Sequence, residues 1–183
     1  MKISKKLNLV IPMELDDGGT YYAHSTPLSR EAFEKYYKLI ARTFSAMYED
    51  GMSTIAGPRV AALMLRSAAE ELQLDEGIVA ELLNEVRRLT NVMLPSEEGW
   101  QAIPFQAAVN RGMIDDDAAA ELEGQIVFFI CNSAMHTKER LKVILHGLTL
   151  LWGSQITLQN STEYLRSLQT SIEDESTGET PIT

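Results

Sequence analysis

Few side chains in this 183-residue sequence could do chemistry: three histidines (His24, His136 and His146), one cysteine (Cys131) and the run Asp115-Asp116-Asp117. A transition-metal site needs several imidazole, thiolate or carboxylate ligands brought to one point by regular spacing. His136 and His146 stand ten residues apart across an expected helix boundary, which is no such spacing. The aspartate run could suggest Mg²⁺, and combined with His136 it would make a metal-dependent helical hydrolase. Acids at a helix N-terminus, complementing its macrodipole, explain the run with fewer assumptions. Cys131 ends the apolar stretch "IVFFIC", where a packed, inert thiol is expected rather than a nucleophile. "DDGG" at 16–19 lacks the further acids at alternate positions that a calcium loop requires. No phosphate-binding loop, dinucleotide fingerprint or nucleophile elbow occurs. The expectation is a protein that is not an enzyme and holds no cofactor or metal.

The elements that carry these residues read as mainly α: a helical domain of about five to seven helices preceded by an N-terminal β-hairpin. Residues 5–14 alternate loosely, with Leu7, Leu9, Ile11 and Met13 on one side, the period of a half-buried strand. "DDGG" supplies glycines for a tight turn, and "TYYAH" (20–24) pairs back, giving a hairpin over about 5–26. Pro12 lacks an N–H, so it belongs on an open edge or at a bulge. A two-stranded ribbon is not stable alone and must lie on the helices or join another sheet. Its outer edges are expected to be open, and the helical core from Phe33 onward is expected not to depend on its ladder.

Ser29 can cap a first helix in which Phe33, Tyr36 or Tyr37, Ile40, Phe44 and Met47 recur at helical steps, ending before Gly51. Pro58 opens a second, "VAALMLRSAAEEL", apolar nearly all round. Asp75 caps a third, "EGIVAELLNEVRRLTNVML", stopped by Pro95, and "PSEEGWQAIP" (95–104) reads as a loop. A short helix from about Pro104 to Asn110 is closed by Gly112. Residues 115–136 read as helix, although "IVFFIC" alone could be a buried strand. Thr137 caps "KERLKVILHGLTLLW", and "NSTEYLRSL" (160–168) is a last short helix. From Ser171 the chain carries four acids and no base, so 1–170 is expected to be a single domain and 171–183 a disordered acidic tail or linker.

The net charge of −10 argues against nucleic-acid binding, which needs a basic face; Lys2, Lys5 and Lys6 form only a small cluster, read as solubilising the end of an edge strand. A single cysteine fits a reducing compartment. No apolar run approaches the roughly 20 residues that a bilayer needs, and no signal peptide is visible, so the protein is expected to be cytoplasmic. What remains is aromatic. Neighbouring tyrosines on a strand point to opposite faces, so one of Tyr21 and Tyr22 is expected at the surface. Tyr21, Tyr22, Tyr37 and Trp100 are the candidate protein-contact residues.

The order "LNLVIP…DDGGTYYAHSTPLSREAFEKYYKLIARTF", then "GPRVAALML", then "WGSQITLQNSTEYLRSL" and a polar acidic end resembles the tail assembly chaperones of long-tailed bacteriophages. The similarity spans most of the chain and is strongest over 7–72 and 150–170. The resemblance implies a non-catalytic protein of the host cytoplasm that binds the tape-measure protein, keeps it soluble and helps recruit tail-tube subunits around it. It also implies that a frameshifted longer form can exist, with the acidic end as a linker. Eight methionines and the acidic charge suit a soluble protein with adaptable apolar contacts, and an open hairpin edge would serve self-association or strand addition. The alternative is a phage or bacterial regulatory or adaptor protein that binds one partner stoichiometrically.

Overall fold

A computed structural model describes residues 8–14, 19–49, 56–96, 99–152 and 157–159. The chain enters as strands β1 (Asn8–Glu14) and β2 (Thr20–Ser25), then forms helices α1 (Arg30–Glu49), α2 (Gly57–Glu71) and α3 (Glu76–Arg88). Strands β3 (Thr90–Ser96) and β4 (Gly99–Pro104) follow, then α4 (Phe105–Asn110), α5 (Asp116–Met135), α6 (Lys138–Trp152) and a short β5 (Thr157–Gln159). Among the described residues, six helices behind an N-terminal hairpin match the expected class. The acidic tail and the expected helix at 160–168 lie outside the described residues, as do residues 16–18 of the turn.

The hairpin has the expected register, with Ile11 opposite Ala23 and Met13 opposite Tyr21, but it is not an isolated ribbon. It sits inside a five-stranded antiparallel sheet of order β4-β3-β2-β1-β5. Its expected open edges are therefore occupied: β2 pairs with β3 over Tyr22–Ser25, and β5 pairs with Asn8–Val10 of β1. The third helix stops at Arg88 rather than continuing to Leu94. Thr90, Val92 and Leu94 are buried at alternate positions, so "TNVML" satisfies the sheet's period of two as well as a helical one. Pairing with β2 decides between them. The stretch read as a loop is β4 with the end of β3, where Val92 faces Ile103 and Pro95 faces Trp100. Pro12 and Pro95 stand where one neighbour has ended: β5 pairs with β1 only as far as Val10, and β2 with β3 only as far as Met93.

Helix starts follow the sequence closely. The Ser29 hydroxyl accepts from the Ala32 N–H at 3.1 Å, Asp75 accepts from Gly77 at 2.6 Å, and Asp115 accepts from Ala118 at 2.7 Å. Gly112 ends α4 with a φ of +67°, a left-handed conformation that favours glycine.

One face of the sheet (Leu9, Ile11, Tyr21, Ala23, Val92, Leu94, Ile103) packs into the same core as the helices. The centre of that core is α5. Its residues Ile126–Asn132 are buried without interruption, so "IVFFIC" is a helix wrapped on all sides rather than a strand. The α2–α5 crossing is close because both helices offer a glycine. A Cβ on Gly124 would stand 2.6 Å from the Pro58 carbonyl oxygen, and one on Gly57 would stand 2.7 Å from the Phe128 ring. Two polar side chains, Tyr48 and Asn132, are paired where α1 meets α5. Tyr48 donates to Asn132 Oδ1 at 2.6 Å, and Asn132 Nδ2 donates to the Phe128 carbonyl at 2.9 Å.

Candidate interaction surfaces

The residues with chemical potential are dispersed. Asp115 is the N-cap of α5 and His136 its C-cap, so a helix of 20 residues, about 30 Å long, separates the aspartate run from the histidine. The two cannot share an ion. Glu139 lies three residues past His136, yet among the described residues no group of three His, Cys, Asp or Glu side chains could hold a metal. The His136 ring stands edge-on to Phe44, with centroids 5.1 Å apart. Burial, and secondarily Arg140, push its pKa down. His24 lies on the outer face of the sheet, where burial likewise lowers its pKa, and His146 is exposed on α6. Cys131 is fully enclosed in α5, and burial pushes its pKa up to about 12. At neutral pH it remains a thiol with no solvent access, a packing residue rather than a nucleophile.

The four aromatic contact candidates divide by environment. Tyr21 faces the helices at 2% exposure, with its hydroxyl on Met13 Sδ at 3.3 Å. Burial, with Asp115 and Glu121 adding to it, raises its pKa to about 12. Tyr22 is on the opposite face, as strand alternation requires. There it meets Trp100 edge-on at 5.3 Å, and with Met93 it packs beside Val10 in a small second apolar cluster. Tyr37 is 51% exposed on α1 and rests against Phe33 at 5.6 Å. The structure thus brings Tyr22 and Trp100 together on one sheet face and keeps Tyr37 and Tyr21 apart from them.

A further surface escaped sequence reading. Helices α2 and α3 enclose a groove of about 380 Å³. Ala69, Leu74, Val79 and Leu83 supply apolar wall, and Ala80 and Asn84 lie along its exposed rim. Arg66 and Arg87 also line it, and both guanidiniums are held by one buried carboxylate, Glu123 of α5. Arg87 approaches Glu123 Oε2 through Nε at 2.8 Å and Nη2 at 2.6 Å, and Arg66 Nη2 lies 3.5 Å from Oε1. With 6% exposure, Glu123 is a carboxylate that burial makes costly unless it is paired in this way. The sequence signal was present in the small residues of "RSAAEE" and the acid inside "LEGQIVFF", but only the helix pairing joins them.

Among the described residues no helix is long and apolar enough to cross a membrane. No protein-family profile, no curated relative and no solved structure matches this chain.

Proposed function

We propose that this chain is a non-catalytic assembly chaperone of a long-tailed phage, working in the host cytoplasm. It binds the tape-measure protein, keeps it soluble and helps recruit tail-tube subunits. The observation that carries this reading is the α2–α3 groove: an apolar trough with charged ends on a helical body, of a size suited to a few large side chains of a partner. A tape measure is a long helix whose apolar stripes face water until the tube encloses them, and helix-in-groove recognition is the physical answer to such a partner. The net charge of −10 supports solubility of the loaded complex. Tube-subunit recruitment is assigned to the outer face of the sheet, where Tyr22, Met93 and Trp100 form an apolar patch that reaches the edge strand β4. Strand addition at β4 replaces the hairpin edges as the route for a pairing partner.

The test is co-expression. The reading requires a tape-measure gene beside this one, and its product is expected to be poorly soluble alone, to become several-fold more soluble with this chain and to co-purify with it. An adaptor for one unrelated partner would leave it insoluble. It would also lack a gene position between a tube gene and a very long tape-measure gene.

A further inference from the structure

The groove has a charge order as well as an apolar wall. Helices α2 and α3 are consecutive, joined by residues 72–75, in which Gln73 takes a φ of 53° and the Leu74 N–H returns to the Ala69 carbonyl at 2.9 Å. Glu70, near the end of α2, and Glu76, at the start of α3, therefore flank the connection at one end of the groove. Neither forms an ion pair among the described residues. Arg66 lies a turn back along α2, and Arg87 lies near the far end of α3, about 16 Å from Glu76 along the helix axis. Glu123 gathers these two guanidiniums at the other end. Two arginines on one carboxylate leave that end with a net positive charge, while the two carboxylates by the connection are in no ion pair among the described residues. Because α2 ends where α3 begins, their macrodipoles oppose each other there, and the side chains set the polarity.

We infer that this groove is a charge-ordered docking site for one amphipathic helix of a partner protein. The helix seats apolar side chains at i, i+4 and i+7 on Ala69, Leu74, Val79 and Leu83. A lysine or arginine at one end of that stripe faces Glu70 and Glu76, and an aspartate or glutamate two to three turns away faces Arg87 at the far end of α3. The requirement for opposite charges at the two ends follows from complementarity, which selects partners and register more than it adds raw affinity. Glu123 acts as a positioning residue, since it fixes both guanidiniums before the helix arrives and so reduces the ordering cost of binding. The inference rests on the proposal that the protein binds helices, and it names the site and the chemistry of the helix it takes.

The experiment uses three labelled model helices of about five turns with one shared leucine stripe. The stripe is flanked by lysines at both ends, by glutamates at both ends, or by lysine at one end and glutamate at the other. Fluorescence anisotropy with the full chain is expected to show the mixed helix binding about tenfold more tightly than either same-sign helix. The double variant Glu70→Lys, Glu76→Lys, altered only at exposed positions, is expected to transfer the preference to the all-glutamate helix. Ala80→Trp, which fills the groove from its rim, is expected to weaken the mixed helix at least about tenfold while circular dichroism is unchanged. Binding that follows only the net charge of the peptide, binding unaffected by Ala80→Trp, or no binding of any helix would overturn the inference. If Ala80→Trp captures the tape-measure protein as well as wild type does, the groove assignment falls and the chaperone reading stands. If wild type selects the mixed helix yet captures no tape-measure protein, the chaperone reading falls and the groove stands.

Discussion

Gly124→Val is expected to be strongly destabilising, because an added side chain at this position runs into the backbone of α2. Even a single methyl at Gly124 would lie 2.6 Å from the Pro58 carbonyl oxygen and 3.4 Å from that of Arg59. These are backbone atoms of a packed helix and cannot swing aside as a flexible side chain could. Relief requires moving α2 away from α5, which loosens contacts of the fully buried Phe128, Ile126 and Leu65. Overpacking of this kind costs about 1–3 kcal/mol for a small intrusion and more for a branched one. Against it stands the gain of about 0.5–1 kcal/mol from replacing a helical glycine by alanine. Gly124→Ala should therefore lose about 1–2 kcal/mol net, a fall in Tm of several degrees at this chain length. Gly124→Val adds two methyl groups against the same carbonyls and should lose well over about 3 kcal/mol. Gly147 provides the control. It lies in α6 with nothing within 4 Å of the added carbon, so Gly147→Ala should be neutral or slightly stabilising. Thermal and urea unfolding of the three variants checks the order. Equal behaviour of Gly124→Ala and Gly147→Ala would mean that the crossing is looser than described.

The second large effect concerns Tyr22→Pro. On an isolated ribbon this change would remove one edge donor and leave the helices intact. In the structure Tyr22 lies opposite Pro12 on one side and Met93 on the other, at the middle of five strands. Proline there deletes a ladder hydrogen bond and forces φ in a strand with neighbours on both flanks. The carbonyl left without its donor costs about 1–3 kcal/mol, and loss of the edge-on contact with Trp100 adds about 0.5–1.5 kcal/mol. The sheet's other face is part of the helical core, so the helices should feel the loss. The expected result is a urea midpoint lowered together in the helical signal and in tryptophan fluorescence, as one cooperative transition. Tyr22→Ala should lose only the aromatic contact and keep most of its stability. A helical signal that survives while the strand region melts separately would restore the hairpin as an independent module.

The contrast between these two positions shows what the sequence could reveal. Helix starts were legible because caps are local: Ser29, Asp75, Asp115 and Thr137 each sit a few residues from the N–H groups they serve. The buried helix around "IVFFIC" was legible from its length and acidic head rather than from its periodicity. What failed was non-local. "TNVML" becomes a strand because β2 presents an edge that lies about 65 residues back in the chain, as the Thr90–Ser25 hydroxyl contact at 3.0 Å illustrates, and "GWQAIP" then pairs with the β3 so formed. Propensity in so short a window is a weak prior against that pairing. The groove was illegible for the same reason. Arg66, Arg87 and Glu123 are far apart in sequence, and only the packing of α2, α3 and α5 turns them into one charged end. Of the aromatic candidates, strand alternation correctly placed Tyr21 and Tyr22 on opposite faces, but only the β3–β4 pairing sets Trp100 beside Tyr22.

The proposal that this chain binds the tape-measure helix is tested most directly by isothermal titration calorimetry of the two purified proteins, with the tape-measure protein supplied as soluble segments. The account predicts saturable binding by at least one segment, with a negative heat-capacity change from burial of apolar surface. It further predicts that the binding segment carries opposite charges at the two ends of its apolar stripe. Absence of heat and of co-elution for every segment at about 100 μM would contradict it.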